Sequence, residues 1–337
     1  MIRQRLRWAA TLLSLAIAAA VLLIVWQHDF EMVEQPVAIP TKEGVLRGIL
    51  TMPEKPIGKV GLVVFVHGDG PADASYDGFY KPLWEAFAKA GYASLSLSKP
   101  GIGGSDGSWL NQSMEDRAEE TLQALRWAKR QAIFDARRIG LWGASQAGWV
   151  IPSVVEQDRE IAFSILVAPA INWLSQGAYH TRQQMKRDGF AEADIRERLA
   201  LEERVNLLLQ KGASYEAYAR IVKHGTRMTR ERWQFVARNF RSDATPSLSS
   251  FRSPVHLVLG GQDLNVDVAE TERVYRQRVA PGLLSVTRLP EADHAMLTSA
   301  NAASELRATF YAVFFPRKLF DPGYFDDLAS FVQRIGE

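Results

Sequence analysis

The chain of 337 residues contains no cysteine. Disulfide bonds, thiolate nucleophiles and cysteine-ligated zinc sites are therefore excluded. The chain also lacks a strong charge of either sign, because 40 lysines and arginines stand against 38 aspartates and glutamates, for a formal net charge of +2. No basic tract interleaved with aromatic residues interrupts this balance. No nucleic-acid partner is therefore expected.

A loop that binds phosphate or a dinucleotide is also missing. Gly101, Gly103 and Gly104 follow a proline, but no further glycine completes a Gly-x-Gly-x-x-Gly pattern and no Lys-Ser/Thr pair follows. Residues 105–108 continue as a predicted loop, whereas a phosphate site needs a helix to begin there. The sequence therefore predicts no cofactor and no metal.

What the chain does have is a large apolar fraction, with 47% hydrophobic and 23% charged residues. A chain of this length and composition is normal for one α/β domain. Residues 33–52 predict an N-terminal β-hairpin with its turn at 41–44. Further apolar runs alternate with helical segments, which is typical of a doubly wound, mostly parallel sheet. The strands are predicted near residues 60–66, 93–98, 138–142, 162–168 and 255–260.

One serine lies on a predicted tight turn between a strand and a helix. This is Ser145, with the small residues Gly143, Ala147 and Gly148 around it, so the backbone can turn sharply there. Such a turn exposes the serine hydroxyl at the carboxyl end of a sheet and leaves the backbone N–H of Gln146 free to hold a developing oxyanion. The same spacing also occurs in ordinary strand-to-helix turns, so the rest of the chain must decide.

A serine nucleophile needs a base and a group that orients the base, and both follow it here in the order Ser, Asp, His. Asp263 comes just after the apolar run 255–260 and is the candidate acid. Asp267 is the fallback, since Asp263 can instead be a helix N-cap. His294 follows another short apolar stretch and is the candidate base. Of the six histidines, only His67 and His294 occupy predicted strand ends.

His67 belongs to a second pattern, His-Gly-x-Gly after the apolar run 60–66. This pattern is similar to the loop that supplies the second oxyanion N–H in serine hydrolases. The donor is expected to be the backbone of Asp69, with Gly70 as the alternative. An aspartate can serve because the donor is main chain, but its charge near an oxyanion is unfavourable unless the side chain turns away.

With these residues in place, the chain resembles an α/β-hydrolase of the serine esterase and serine aminopeptidase-like group. The resemblance runs from about Val33 to the C-terminus and includes residues 98–105, which are similar to the family's loop after the fourth strand. Ser98 stands where the family usually carries aspartate, and Ala147 where the elbow usually has glycine. Neither departure removes a catalytic group. The resemblance implies the α/β-hydrolase fold.

We therefore expect a serine hydrolase that works by acyl transfer through Ser145, His294 and Asp263, with the N–H groups of Gln146 and Asp69 holding the oxyanion. The expected substrates are small-molecule carboxylic esters with small to medium acyl groups. A peptidase or aminopeptidase of the same fold, which would cleave amides, is one alternative. A non-catalytic binding protein on the same scaffold is the other.

The N-terminus carries an apolar segment, residues 9–26, that contains no charged residue and follows three arginines. About 18 residues are just enough for a helix to cross the hydrocarbon core. Arginines before the segment and acidic residues after it place the N-terminus in the cytoplasm and the enzyme on the extracytoplasmic side, periplasmic or extracellular. A cleaved signal peptide is the alternative, but no Ala-x-Ala follows Trp26, so we expect an uncleaved membrane anchor.

The sequence implies no protein partner. Residues 180–241 carry 14 lysines and arginines against 8 acidic residues, which indicates solvated helix faces or, alternatively, attraction to an anionic substrate or membrane. The aromatic segment 310–325 is expected to be core, with acyl binding or membrane contact as the alternative. The expected organisation of the chain has four parts, which are a cytoplasmic stub and membrane anchor (1–32), a first part of the hydrolase core (33–170), a helical cap (171–250) and a second part of the core (251–337).

Overall fold

The computed structural model describes residues 2–42 and 44–336. Glu43, in the predicted hairpin turn, lies outside the described residues. Eight strands form one sheet in the order β1-β2-β4-β3-β5-β6-β7-β8. Strand β2 runs antiparallel to both neighbours, and every other pairing from β4 to β8 is parallel. The predicted mostly parallel sheet is thus confirmed. The strands are β1 (Val33–Thr41), β2 (Gly44–Met52), β3 (Val60–Val66), β4 (Tyr92–Leu97), β5 (Phe134–Ala144), β6 (Ser164–Val167), β7 (Val255–Gly260) and β8 (Leu284–Leu289).

Helices cover both faces of this sheet, as in other doubly wound folds. Helices α5 to α8 lie in the segment between β6 and β7, where the sequence predicts a cap. The helices are α1 (Ile2–Gln27), α2 (Lys81–Lys89), α3 (Met114–Lys129), α4 (Ala147–Gln157), α5 (Trp173–Arg187), α6 (Glu192–Gln210), α7 (Tyr215–Ile221), α8 (Arg230–Asn239), α9 (Val268–Arg278), α10 (Ser299–Ala302), α11 (Glu305–Phe314) and α12 (Tyr324–Gly336).

Strand β5 is longer than the apolar run 138–142 predicts. It begins at Phe134, which pairs with Val60 before a register shift in the ladder. Asp135, Arg137 and Arg138 are charged, and residues 135–138 are half-buried or exposed, so the apolar pattern does not extend over this part. The ladder with β3 resumes where Ile139 pairs with Leu62, so residues 135–138 lie within the register shift of this pairing.

Two buried clusters, one on each face of the sheet, form the core. The second is rich in aromatic rings and includes Phe320 and Tyr324, which are both almost fully buried. The expected core role of the aromatic segment therefore holds at its C-terminal end. It does not hold at Phe310, whose side chain is 48% exposed on α11.

Within the described residues, α1 is the one helix long and apolar enough to cross a membrane. The most apolar 18-residue window of the span Gln4–Gln27 has a mean hydropathy of 2.5 and is not buried in the protein. Signal sequences near an N-terminus share this length and composition. The helix is therefore compatible with either a signal anchor or a membrane span.

Candidate active site

Ser145 lies on a sharp turn between β5 and α4. Its φ of 54° is in the left-handed region, which costs energy for a residue with a Cβ and is tolerated where the surroundings hold it. The backbone N–H of Ser145 donates to Val167 of β6 at 2.9 Å. Gly143 must be glycine, because a Cβ there would lie 2.6 Å from the Cβ of Ala147. The turn thus holds the serine in a strained conformation at the carboxyl ends of the central strands.

A buried carboxylate and an imidazole meet next to this turn. Asp263, just after β7, accepts hydrogen bonds through Oδ1 from the backbone of Asn265 (2.7 Å) and Val266 (2.9 Å). Its Oδ2 accepts one from His294 Nδ1 at 2.8 Å. Asp267, the fallback acid, instead caps the N-terminus of α9. The backbone donors hold the Asp263 carboxylate in place, so it can orient the imidazole ring.

Ser145 and His294 line one cavity of about 250 Å³. Its apolar wall includes Phe79, Leu83 and Tyr324. The Ser145 hydroxyl makes no hydrogen bond to His294 in the described part of the chain. Nucleophile–base bonds are often longer in substrate-free hydrolases than in the reacting complex. The cavity therefore brings the two candidate groups to one space without a direct bond between them.

Two backbone amides beside Ser145 have no hydrogen-bond partner among the described residues, those of Gln146 and Asp69. In a trans peptide the C=O and the following N–H point in opposite directions. The Ser145 carbonyl accepts from Gly148 and Ala170, and the Gly68 carbonyl accepts from Lys99 at 2.6 Å. The N–H groups of Gln146 and Asp69 therefore point away from these buried partners and are free to donate to a ligand.

Two buried cations hold the loop that carries Asp69. Lys99 donates to the carbonyls of Gly68 and Gly70, and Arg117 on α3 donates to the carbonyl of His67. Burial lowers the pKa of both cations, that of Lys99 well below its usual range and that of Arg117 to about 10. Both side chains donate to backbone carbonyls of the loop, so the loop geometry depends on them.

The side chain of Asp69 is turned towards the cap and not towards Ser145. Both of its oxygens accept from Arg232 of α8, the Oδ1 at 2.9 Å, and Oδ1 also accepts from the Gln146 side chain. Partial burial opposes ionisation of Asp69, but the hydrogen bonds and charge of Arg232 outweigh it and lower its pKa. Arg232 therefore neutralises the negative charge that the sequence places near the candidate oxyanion donors.

His67 is unsuited to act as a base. Its Nε2 donates to the Leu97 carbonyl at 2.7 Å, because that oxygen can only accept, and Nδ1 then accepts from the Tyr80 hydroxyl at 3.2 Å. Burial and the charge of Lys99 lower the pKa of His67 to about 3. The ring is therefore a neutral structural link beneath the Asp69 loop.

Similarity to known proteins agrees with this geometry. The sequence profile of the family described as "Serine aminopeptidase, S33" matches residues 59–300, more than half of the chain. The chain belongs to this family. Membership places it among the α/β-hydrolases with esterase-like and aminopeptidase-like members, and the predicted resemblance is confirmed.

Individual relatives are more distant. An uncharacterized 31.7 kDa protein of Escherichia coli, from the traX-finO intergenic region, is 34% identical over 76 residues, or 23% of this chain and 27% of that protein. The probable dipeptidyl-aminopeptidase B of Neurospora crassa is 23% identical over 172 residues, or 45% of this chain and 18% of that protein. The matched segments thus span less than a third of either relative. The esterase Pf2001 of Pyrococcus furiosus superposes with a TM-score of 0.57 at 18% identity, covering 90% and 91% of the two chains, which shows the fold alone.

The motifs of the sequence did not reveal two arginines, Arg117 and Arg232, that contact the Asp69 loop. Arg117 lies beside the apolar stripe of α3. A charged residue next to such a stripe is a signal for a buried, paired charge. Arg232 gives no local signal, because it is one of many arginines in a basic helical segment.

The Ser98 hydroxyl accepts from the Ala74 N–H at 2.9 Å, so serine makes a structural hydrogen bond at the family's aspartate position. No three His, Asp or Glu side chains converge on a metal position in the described chain.

Proposed function

We propose that this S33-family chain is a serine hydrolase that acts by acyl transfer on carboxylic esters. The observation that carries the proposal is the cavity shared by Ser145 and His294, together with the two unpartnered amides of Gln146 and Asp69 at its edge. A nucleophile, an oriented base and two oxyanion donors are the parts that acyl transfer requires.

In the proposed mechanism, the Ser145 Oγ attacks the ester carbonyl carbon while His294 Nε2 takes its proton. The carbonyl oxygen becomes an oxyanion and accepts hydrogen bonds from the backbone N–H groups of Gln146 and Asp69. His294 then gives the proton to the leaving alcohol, which departs and leaves an acyl group on Ser145. A water molecule, deprotonated by His294, releases the acid and restores the serine. Asp263 orients the imidazole and stabilises its charged form.

The second candidate is a peptidase of the same fold, favoured by the family's description as serine aminopeptidase. An aminopeptidase needs an acidic group for the free amino terminus of its substrate. Among the described residues that line the cavity, the one carboxylate is Asp69, and Arg232 already pairs with it. This pairing and the apolar wall favour esters.

A fluorophosphonate probe tests the reaction class, since it labels an activated serine. We expect labelling of the wild-type chain and none of Ser145→Ala. Measured kcat/KM across p-nitrophenyl esters of two to twelve carbons should rise with chain length until the cavity is filled, because each buried methylene contributes about 0.8 kcal/mol. Aminoacyl-p-nitroanilides that outperform every ester would assign the chain to the peptidases. Absence of labelling and turnover would indicate a binding scaffold.

We further propose that α1 anchors the chain in a membrane with the hydrolase on the extracytoplasmic side. The length and apolar character of Gln4–Gln27 and the arginines before it support this. The full-length protein should sediment with membranes and resist salt extraction, with protease access from the extracytoplasmic side. A mature chain beginning shortly after residue 26 would contradict the anchor, and protease access only from the cytoplasm would reverse the topology.

A further inference from the structure

Helix α11 has an apolar stripe that the rest of the protein does not cover. Leu306, Phe310 and Val313 follow the i, i+4, i+7 spacing of one helix face and are 82%, 48% and 38% exposed. No residue of α11 is fully buried. The opposite side, including Ala308 and Ala312, packs on the aromatic core cluster. A soluble protein rarely exposes such a stripe without a partner.

Helix α11 also contacts α1, the candidate membrane span. The half-buried positions of α1 lie near its C-terminal end and include Leu23, Ile24 and Gln27, whereas most of the helix is exposed. His28 Nε2 lies 3.0 Å from the Val313 carbonyl of α11. If α1 crosses a bilayer, this contact places α11 at the bilayer surface from which the C-terminal end of α1 emerges.

The end of α1 is fastened to the body of the protein and is not a free tether. Arg317 donates to the carbonyls of Gln27 (2.6 Å) and Asp29 (3.0 Å) and pairs with the buried Glu85 at 2.6 Å. Its guanidinium also lies over the Phe30 ring. The orientation of the hydrolase relative to α1, and so relative to a bilayer, is thereby determined.

A second cavity, of about 340 Å³, opens beside this fastened end. Its lining includes His28, Ala312 and Phe320, and it shares Tyr76 and Phe79 with the cavity that contains Ser145. The two cavities therefore adjoin at these aromatic side chains. An apolar chain entering from the α11 side would reach the serine through them.

We propose that α11 is a second membrane-contacting element beside α1 and that this second cavity admits the acyl chain of a bilayer-dissolved ester to Ser145. The proposal rests on the proposed hydrolase function and on α1 as an anchor, and it names the substrate class as amphiphilic esters drawn from the lipid phase. Burial of the α11 stripe in the interface removes its apolar surface from water.

The absence of cysteine allows single-cysteine spin labelling of the full-length chain in phosphatidylcholine vesicles. Labels at Leu306→Cys and Phe310→Cys should collide with oxygen more often than with a water-soluble nickel complex. The ratio should be several-fold higher than at Ile57→Cys, a 96% exposed position on a loop between β2 and β3. A ratio equal to that at position 57 would overturn the proposal. Exclusion of both reagents, as under a second copy of the chain, would overturn it as well.

Activity tests the route to Ser145 in the same vesicles. In the double variant Leu306→Ser/Phe310→Ser, the ratio of kcat/KM for a lipid-dissolved twelve-carbon ester to that for a water-soluble two-carbon ester should fall about tenfold. Leu207→Ser is the matched control, since Leu207 on α6 is 46% exposed, and it should leave the ratio unchanged. An unchanged ratio in the double variant would overturn the route. If the fluorophosphonate probe does not label the wild-type chain, the hydrolase function is contradicted. The accessibility of the spin labels would still test the membrane contact of α11.

Discussion

The described part of the chain contains two histidine–aspartate pairs that resemble each other in hydrogen-bond geometry and differ in their surroundings. His294 Nδ1 lies 2.8 Å from Asp263, and His256 Nε2 lies 2.6 Å from Asp327. The His256 pair even has a serine on its other side, with Ser285 Oγ at 2.7 Å from Nδ1. Hydrogen-bond distances alone would mark it as the more complete Ser–His–Asp chain.

The surroundings separate the two pairs. His256 is 2% exposed, stacks on Phe331 and has both ring nitrogens occupied. Ser285 lies within regular strand β8 and not on a strained turn. His294, by contrast, has no described partner on Nε2 and lines the cavity that holds Ser145. A candidate site is therefore better identified by a ring nitrogen without a partner, a cavity shared with the nucleophile and free backbone N–H groups than by a closed chain of hydrogen bonds.

The largest expected effect comes from the two serines. Ser145→Ala should lower kcat by about 10⁴-fold or more, because the serine, base and acid act as a unit. Ser285→Ala should leave kcat within about twofold, since its hydroxyl bonds to the buried His256 and the Val255 carbonyl and does not line the cavity of Ser145. Hydrolysis of p-nitrophenyl esters by both purified variants measures the difference. Near-normal turnover in Ser145→Ala would remove the serine from the mechanism.

The two aspartates should separate activity from stability. Asp263→Asn should lower kcat by about 10³- to 10⁴-fold with little change in folding, since the amide no longer favours the charged imidazole. Asp327→Asn should lower the free energy of unfolding by about 1–3 kcal/mol and keep the activity of each folded molecule. Steady-state kinetics and denaturant titration check this pair. Full activity in Asp263→Asn with loss in Asp267→Asn would move the acid to the fallback position.

A third histidine extends the comparison to a ring that is buried without a carboxylate. Burial lowers the pKa of His67 from 6.5 to about 3, so the unfolded chain binds a proton that the folded chain refuses. Stability from this group is present above pH 6.5 and is lost as the pH falls towards 3. Wild type should therefore lose about 2 kcal/mol more than His67→Gln between pH 7 and pH 5. Equal losses in urea titrations at the two pH values would contradict the buried neutral ring.

The smallest expected effect concerns the cap contact beside the candidate site. Arg232→Met should lower kcat/KM about tenfold, because the freed Asp69 carboxylate then lies near the developing oxyanion. Adding Asp69→Asn should restore most of the loss, since the amide carries no charge. Arg230→Met is the matched control, because Arg230 pairs with exposed Glu216 on the neighbouring helix. A double variant no better than Arg232→Met would show that the arginine acts through cap packing.

Local pattern predicted much of the fold and named the candidate groups one at a time. The apolar runs located the central strands β3 to β7. The mostly parallel sheet and the family are confirmed. The catalytic roles of Ser145, Asp263 and His294 and the four-part domain division remain predictions. In the described chain, five of the 14 basic side chains of residues 180–241 form ion pairs within that segment, and Arg232 pairs with Asp69 of the core.

The sequence by itself determined the features that depend on near neighbours in the chain. Small residues around Ser145 permit its turn, and unbroken apolar runs make buried strands, because backbone conformation and burial pattern are local properties. The contacts between groups far apart in the chain depend on the tertiary structure. Asp263 pairs with His294 across 31 residues, Asp327 with His256 across 71 and Asp69 with Arg232 across 163. Such pairings depend on how all the intervening elements pack, and no local periodicity encodes them.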